Sequence, residues 1–215
     1  MKDTTILLVR HGESEGNLLG LFTGHSGYSL SKLGHTQAAK TAEYIHATYE
    51  VDAVYSSDLP RAFQTAEYTA KAFGLPITTN AALREINAGN WENRRYVDLA
   101  VAYSDTYSMW STDFWNAYCV GGETVKQVGE RVVNALSHIA EANPGRCIVV
   151  AGHATTIRGA LCRMSELYEP VMQTFGWGGN CAISRVAYSD GKFKIISVNK
   201  AEHLADLLTE LPSSL

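Results

Sequence analysis

Long apolar runs are missing from this chain. No segment approaches the eighteen or so consecutive apolar residues that a membrane-spanning helix needs. Cysteine is scarce and scattered. Cys119, Cys147, Cys162 and Cys181 form no C-x-x-C pair, which argues against a zinc ribbon or a disulfide framework. Buried free thiols in a reducing cytoplasm are the plain reading, and a cytoplasmic location is expected. No histidine pair has H-x-x-x-H spacing, so no metal is expected. Positive charge is not in excess either. A formal net charge of −4 argues against a nucleic-acid or membrane-surface partner. Any anion site must then be a local cluster of Arg and His. Residues Met1 to Thr5 carry no signal-peptide pattern, so no secretory leader is expected. Internal repeats and low-complexity segments are also absent.

What is present suits one globular domain: 215 residues, 46% hydrophobic and 19% charged. Strand-like runs occur at Thr4–Val9, Asp52–Ser56, Cys147–Ala151, Ala182–Tyr188 and Phe193–Val198. Helical patterns lie between most of them. Ser31 is placed to cap a helix over Lys32–Tyr49. Pro60 opens a helix that ends at Phe73, with Gly74 just beyond. Val125, Val128, Val132, Leu136 and Ile139 mark a long helix over Thr124–Ala142, and a shorter one follows over Thr155–Met164. Ser189-Asp190-Gly191 signals a hairpin. The expected fold is a three-layer α/β/α arrangement with a mostly parallel sheet and an antiparallel edge strand. Residues 91–121 break the rhythm with eight aromatics and no strand pattern. They read as a helical cap or insertion, the aromatics forming the core of a small subdomain.

Three strand-like runs end in polar groups of matching chemistry. The first ends in Arg10-His11-Gly12. The second ends in Ser56-Ser57-Asp58-Leu59-Pro60-Arg61, and a later one in Gly152-His153-Ala154-Thr155, both opening helices. In one parallel sheet these ends share an edge, where open α/β sheets bind ligands. Two imidazoles, two guanidiniums and helix N-termini then form an anion pocket of phosphate size. Leu83-Arg84-Glu85, followed by Asn87-Ala88-Gly89-Asn90, is able to bring a carboxyl group over it. Cations around His11 disfavour its protonation and leave a lone pair for attack.

Five blocks resemble the histidine phosphatase superfamily, the phosphoglycerate-mutase-like proteins. They are Leu8-Val9-Arg10-His11-Gly12-Glu13-Ser14-Glu15-Gly16-Asn17, Tyr55 to Ala66, Leu83-Arg84-Glu85 to Glu92, Gly121-Gly122-Glu123-Thr124, and Val150-Ala151-Gly152-His153. The resemblance implies that His11 is the nucleophile that becomes phosphorylated. It implies that Arg10, Arg61 and His153 bind the phosphoryl oxygens, with Asn17 and the backbone N–H of Ala154 adding to the phosphate pocket. Glu85 becomes the general acid, and no metal or other cofactor is used. The chain departs from the pattern at Ala154, where a glycine often follows the second histidine; Ala is small and keeps its N–H. The implied activity is that of a metal-independent phosphomonoesterase of the histidine acid type. Its partner is a small phosphorylated metabolite, and a homodimer is left open.

Other readings stand beside this one. A cofactor-dependent phosphoglycerate mutase shares the first half-reaction, but must exclude water and hold an acidic substrate with extra cations. Loop 20–30 and segment 91–121 supply few beyond Lys32, Arg94 and Arg95. A non-catalytic phospho-ligand sensor would keep the pocket without turnover. Gly12-Glu13-Ser14-Glu15-Gly16 fits the G-x-S-x-G pattern of serine hydrolases, yet follows the first strand and lacks an HGGG-type oxyanion loop. Arg94-Arg95 reads as a solvated pair, Asp58 as a helix cap, Asn180 as a turn residue, and His35, His46 and His138 as helix-surface residues.

Overall fold

The computed structural model describes residues 3–165 and 175–209. Its centre is a six-stranded sheet built from β1 (Thr4–Arg10), β2 (Ala53–Ser56), β3 (Ile77–Thr79), β4 (Cys147–Gly152), β5 (Ile183–Ser189) and β6 (Lys192–Lys200). The strand order is β3-β2-β4-β1-β5-β6. Strands β3, β2, β4 and β1 run parallel, whereas β5 and β6 are antiparallel additions. The expected fold class is therefore the observed one. Strand β3 was not foreseen; at three residues, two of them exposed, it carries no periodicity to read.

Side chains of β1 alternate between two apolar layers, as the two-residue period of a strand requires. Leu7 and Val9 pack with Val149, Val54, Ile45, Ala66 and Ala70. That layer is covered by helices α2 (Lys32–Thr48) and α3 (Pro60–Phe73), which follow the short α1 (Glu15–Leu18). Ile6 and Leu8 face the opposite layer with Val150, Leu136 and Leu161. There the cover comes from α4 (Tyr96–Ala102), α5 (Ser104–Thr112), α6 (Val125–Glu141) and α7 (Ala154–Ser165). The aromatics of 91–121 join this main core. Trp91, Tyr107, Trp110, Phe114 and Trp115 belong to one apolar cluster with Ile6 and Leu8. The expectation that they build a separate subdomain core is thus corrected. All five are at most 7% exposed, a burial a detached cap would not provide.

Helix ends follow local chemistry. Ser31 Oγ accepts from Gly34 N at 3.0 Å and donates to Glu13 Oε1 at 2.6 Å. Thr124 and Gln127 form a capping box at α6, so that helix starts one residue later than its pattern suggested. Gly74 closes α3 at φ 65°. The β5–β6 turn places Asp190 and Gly191 at φ 51° and 76°, the left-handed pair that a tight hairpin needs.

Two connections decide where a ligand can sit. After β1 the chain crosses to the α2–α3 layer. After β4 it enters α7 on the opposite layer. Strands β1 and β4 are neighbours, with Arg10 paired to Gly152. Their carboxyl ends therefore flank the crevice where the sheet's connections diverge.

Candidate active site

His11 and His153 follow the paired residues Arg10 and Gly152, so register alone makes them neighbours. His11 N donates to Gly152 O at 3.0 Å. The two imidazoles lie 5.2 Å apart, their planes at 61°. Both are buried, 4% and 0% exposed.

The His11 ring is held in one tautomer. Its Nδ1 faces the carbonyl of Gly12 at 2.7 Å, which can only accept, so Nδ1 carries the proton. Nε2 then holds the lone pair, and Arg61 Nε donates to it at 3.3 Å. Burial lowers the pKa of His11 well below its usual value, and Arg61 and Arg10 push it the same way. A neutral imidazole with a directed lone pair is the form a nucleophile needs. Gly12 makes this loop possible: a Cβ there would lie 2.5 Å from the carbonyl oxygen of Gly34, at the start of α2.

His153 is tuned in the same manner. Its Nε2 lies 2.9 Å from Ser57 Oγ. If the hydroxyl donates, Nδ1 bears the proton, and that Nδ1 is buried without a partner. Burial and the nearby Arg61 and His11 lower the pKa of His153 well below normal. Ser57, from the end of β2, was not singled out by sequence.

Arg10, His11, Asn17, Glu85 and Ala154 line one cavity of about 40 Å³, room for roughly three water-sized groups. Arg10 donates from Nη1 to the carbonyl of Gly178, while its Nε is buried and unpartnered. Burial lowers its pKa, the loss of hydration opposed by Tyr96 and Glu85. Asn17 Oδ1 accepts from Ser14 N at 3.0 Å and Asn180 Nδ2 at 3.3 Å, which fixes the amide and leaves its NH₂ as the available end. Asn180 also donates to His11 O at 3.0 Å. It thus ties β1 to α1 and is more than the turn residue expected.

Arg61 and His153 stand behind the cavity rather than on its lining. Arg61 is fully buried, and its donors reach the carbonyls of Thr23, Gly24 and Ser26 at 2.9–3.2 Å besides His11. Burial brings its pKa down to about 10, so it remains a cation at neutral pH.

Glu85 is delivered from the opposite side. Its Oε1 accepts from Ile86 N at 2.9 Å and its Oε2 from Thr155 N at 3.1 Å, in the first turn of α7. Arg131 on α6 anchors this loop through the carbonyls of Ala82, Arg84 and Glu85 at 2.8–2.9 Å, and is itself held by Glu123. His25 Nε2 donates to the same Glu85 carbonyl at 2.9 Å. Other carboxyls nearby have structural partners. Glu92 accepts from the backbone N–H groups of Gly24, His25 and Ser26. Asp58 is not the helix cap expected: Leu59 holds that position, and Asp58 Oδ1 instead accepts from Arg84 Nε at 2.7 Å. The arginine, a fixed cation beside it, outcompetes a neutral N–H and holds the Asp58 pKa below its usual value. Ser14, the serine of the G-x-S-x-G pattern, is buried and caps α1, its Oγ accepting from Asn17 N at 3.2 Å. Arg94 and Arg95 are exposed, as expected of a solvated pair. Among the described residues no group of three or more His, Cys, Asp or Glu could hold a metal ion. Among them, too, no helix is long and apolar enough to cross a membrane.

Fold and site together define an α/β protein with a cavity lined by His11 and Arg10 where its sheet connections diverge. The chain belongs to the histidine phosphatase superfamily (branch 1), which it matches over residues 6–201. It is 30% identical over 206 residues to the metal-independent phosphoserine phosphatase of Arabidopsis thaliana, covering 95% of this chain and 84% of that one. It is 29% identical over 174 residues to the adenosylcobalamin/alpha-ribazole phosphatase of Escherichia coli, covering 81% and 85%. The crystal structure of Entamoeba histolytica phosphoserine phosphatase in complex with 3-phosphoglyceric acid superposes with a TM-score of 0.80 at 26% identity, covering 94% of this chain and 99% of that one. These relatives support a phosphatase.

Proposed function

We propose that this protein is a metal-independent phosphomonoesterase of the histidine acid type, acting on a small phosphorylated metabolite in the cytoplasm. The observation that carries the reading is the neutral His11 imidazole, its Nε2 held beside Arg61, lining a cavity that Arg10 and Glu85 also line. Nε2 attacks phosphorus as the ester P–O bond breaks, forming a phosphohistidine. Charge on the three equatorial oxygens meets Arg10 Nε, the Asn17 amide and the Ala154 N–H at the start of α7, with His153 set behind them beside His11. Arg61 repels a proton from His11 and adds positive charge behind it. Glu85, in its protonated form, gives that proton to the departing alkoxide. Water then attacks the phosphohistidine, Glu85 takes its proton, and His11 and phosphate are regenerated.

The mutase reading requires more cations than the cavity holds: Arg10 is the one Lys or Arg on its lining among the described residues. The sensor reading would not need Glu85 anchored by Arg131. Rapid quenching with a phosphomonoester tests the proposal. Acid-labile, base-stable phosphate is expected on the native chain and not on His11→Ala.

A further inference from the structure

Arg61 is a fully buried cation, and among the described residues it forms no direct ion pair. A buried charge needs a counter-charge or well-aimed dipoles. Its terminal donors go to one loop: Nη1 to Ser26 O at 2.9 Å, Nη2 to Thr23 O at 3.2 Å and to Gly24 O at 2.9 Å.

The N–H groups of the same loop converge on one carboxylate. Gly24 N donates to Glu92 Oε1 at 3.0 Å, His25 N to Glu92 Oε2 at 3.1 Å, and Ser26 N to Glu92 Oε1 at 3.1 Å. Ser26 Oγ donates to Glu92 Oε1 as well. Thr23 O and Gly24 N belong to one peptide group, and Gly24 O and His25 N to the next. In a trans peptide the C=O and N–H point opposite ways. Two successive peptide groups therefore bridge the carboxylate and the guanidinium, each with its oxygen on the cation and its hydrogen on the anion. Both ends of each bridge are charge-assisted, and bonds in such a chain polarise one another. Burial lowers the Arg61 pKa, and Glu85 and Glu92 are the carboxylates that oppose it.

The chain around Glu92 is tied to the start of this loop. Phe22 N donates to Arg94 O at 2.8 Å, and Asn93 N to Phe22 O at 3.0 Å. Gly24 admits the close approach: a Cβ there would lie 2.5 Å from Ile86 O and 2.6 Å from Glu92 Oε2. Thr23, at the head of the loop, is on the cavity lining, and Glu92 is not. On its other side Arg61 donates from Nε to His11 Nε2 at 3.3 Å.

We propose that Glu92 is a positioning residue for the nucleophile: through the two peptide groups between Thr23 and His25, its carboxylate fixes the Arg61 guanidinium against His11 Nε2. This rests on the phosphomonoesterase reading above. Glu92 passes no proton to the leaving group, so its loss slows attack on every ester alike.

The test follows single-turnover phosphorylation of the full chain by p-nitrophenyl phosphate and by an alkyl phosphate. Glu92→Gln keeps the shape and removes the charge. It is expected to slow both reactions by the same factor, about tenfold or more, the scale of one charge-assisted hydrogen bond. Should Glu92→Gln not fold, Glu92→Asp carries the same comparison, because its shorter arm does not span all three N–H groups. Vanadate affinity, read by calorimetry and so without turnover, completes a cycle with Arg61→Gln, or with Arg61→Lys where the glutamine variant does not fold. The loss of affinity on replacing Glu92 is expected to shrink by about threefold or more once Arg61 is already replaced. A smaller rate loss, a loss that differs between the two esters, or a vanadate loss of full size in the Arg61 variant overturns the inference while the phosphatase stands. No phosphatase activity of the native chain on any ester overturns the parent reading and this inference together.

Discussion

Replacing Glu85 by glutamine separates proton donation from scaffolding, because the structure gives the two jobs different signatures. The carboxylate accepts two backbone N–H groups, from Ile86 at 2.9 Å and Thr155 at 3.1 Å. Glutamine has one oxygen, so one of these N–H groups would face an NH₂. That loss is expected to cost about 1–3 kcal/mol of stability, read as a lower urea midpoint. It cannot discriminate between substrates. Loss of the transferable proton can. Alkoxide leaves poorly without protonation, so phosphorylation of His11 by an alkyl phosphate should slow by about 10²–10⁴, roughly 3–5 kcal/mol of barrier. Phosphorylation by p-nitrophenyl phosphate should slow far less, since nitrophenolate departs without a proton. The measurement must be the single-turnover or burst phase, because the proposed mechanism also uses Glu85 in the water step. Equal losses for both substrates in that phase would refute the assignment and leave Glu85 a scaffold. Glu13, Glu92 and Glu123 would then become the candidates, though each is already engaged with Ser31, loop 24–26 or Arg131.

Arg131→Leu should remove the anchor of the Glu85 loop, lowering kcat on alkyl phosphates by about 10–100-fold together with stability, as expected when several charge-assisted hydrogen bonds are lost; Arg131→Lys should recover part of both, and unchanged kinetics in Arg131→Leu would show that the anchor is dispensable. Ser57→Ala should free the His153 tautomer and weaken vanadate inhibition about 2–10-fold, the scale of one neutral hydrogen bond, and an unaltered inhibition constant would refute that role. His11 and His153 are both held neutral in the fold, their pKa values lowered below the usual one. In the unfolded chain they take up protons as pH falls through about 6.5, so their contribution is complete above that pH and is lost below it, by up to about 1.4 kcal/mol per pH unit for each. Urea midpoints should therefore fall between pH 7 and pH 5, with a shallower slope in His11→Asn; equal slopes would contradict the assignment. EDTA should leave the rate unchanged, whereas strict dependence on added magnesium or zinc would point to another mechanism.

The sheet edge that carries His11 and His153 was legible because its signals are local. An aliphatic run that stops at Arg10-His11, and another that stops at Gly152-His153, announce strand ends whatever the rest of the chain does. Pairing of Arg10 with Gly152 then followed from the parallel order. What escaped reading depends on contacts distant in sequence. Asn180 meets His11 across 169 residues, and Ser57 meets His153 across 96. Arg131 lies on an amphipathic helix where a cation usually faces water, and only the fold shows it reaching three carbonyls. Asp58 carried the right residue type for a cap, but a long-range arginine claimed it. The aromatics of 91–121 declared themselves apolar and helical; which sheet face they would cover was set by the crossover to the α6–α7 layer, which composition does not encode.

The central claim is that His11 Nε2 takes the phosphoryl group. A ³¹P NMR spectrum of the chain, denatured in base immediately after mixing with substrate, tests it most directly. A phosphoramidate resonance assignable to N-linked phosphohistidine, mapped by peptide sequencing to His11 and absent from His11→Ala, is the predicted result. Steady turnover with no phosphoramidate at any quench time, or full activity in His11→Ala, would contradict it.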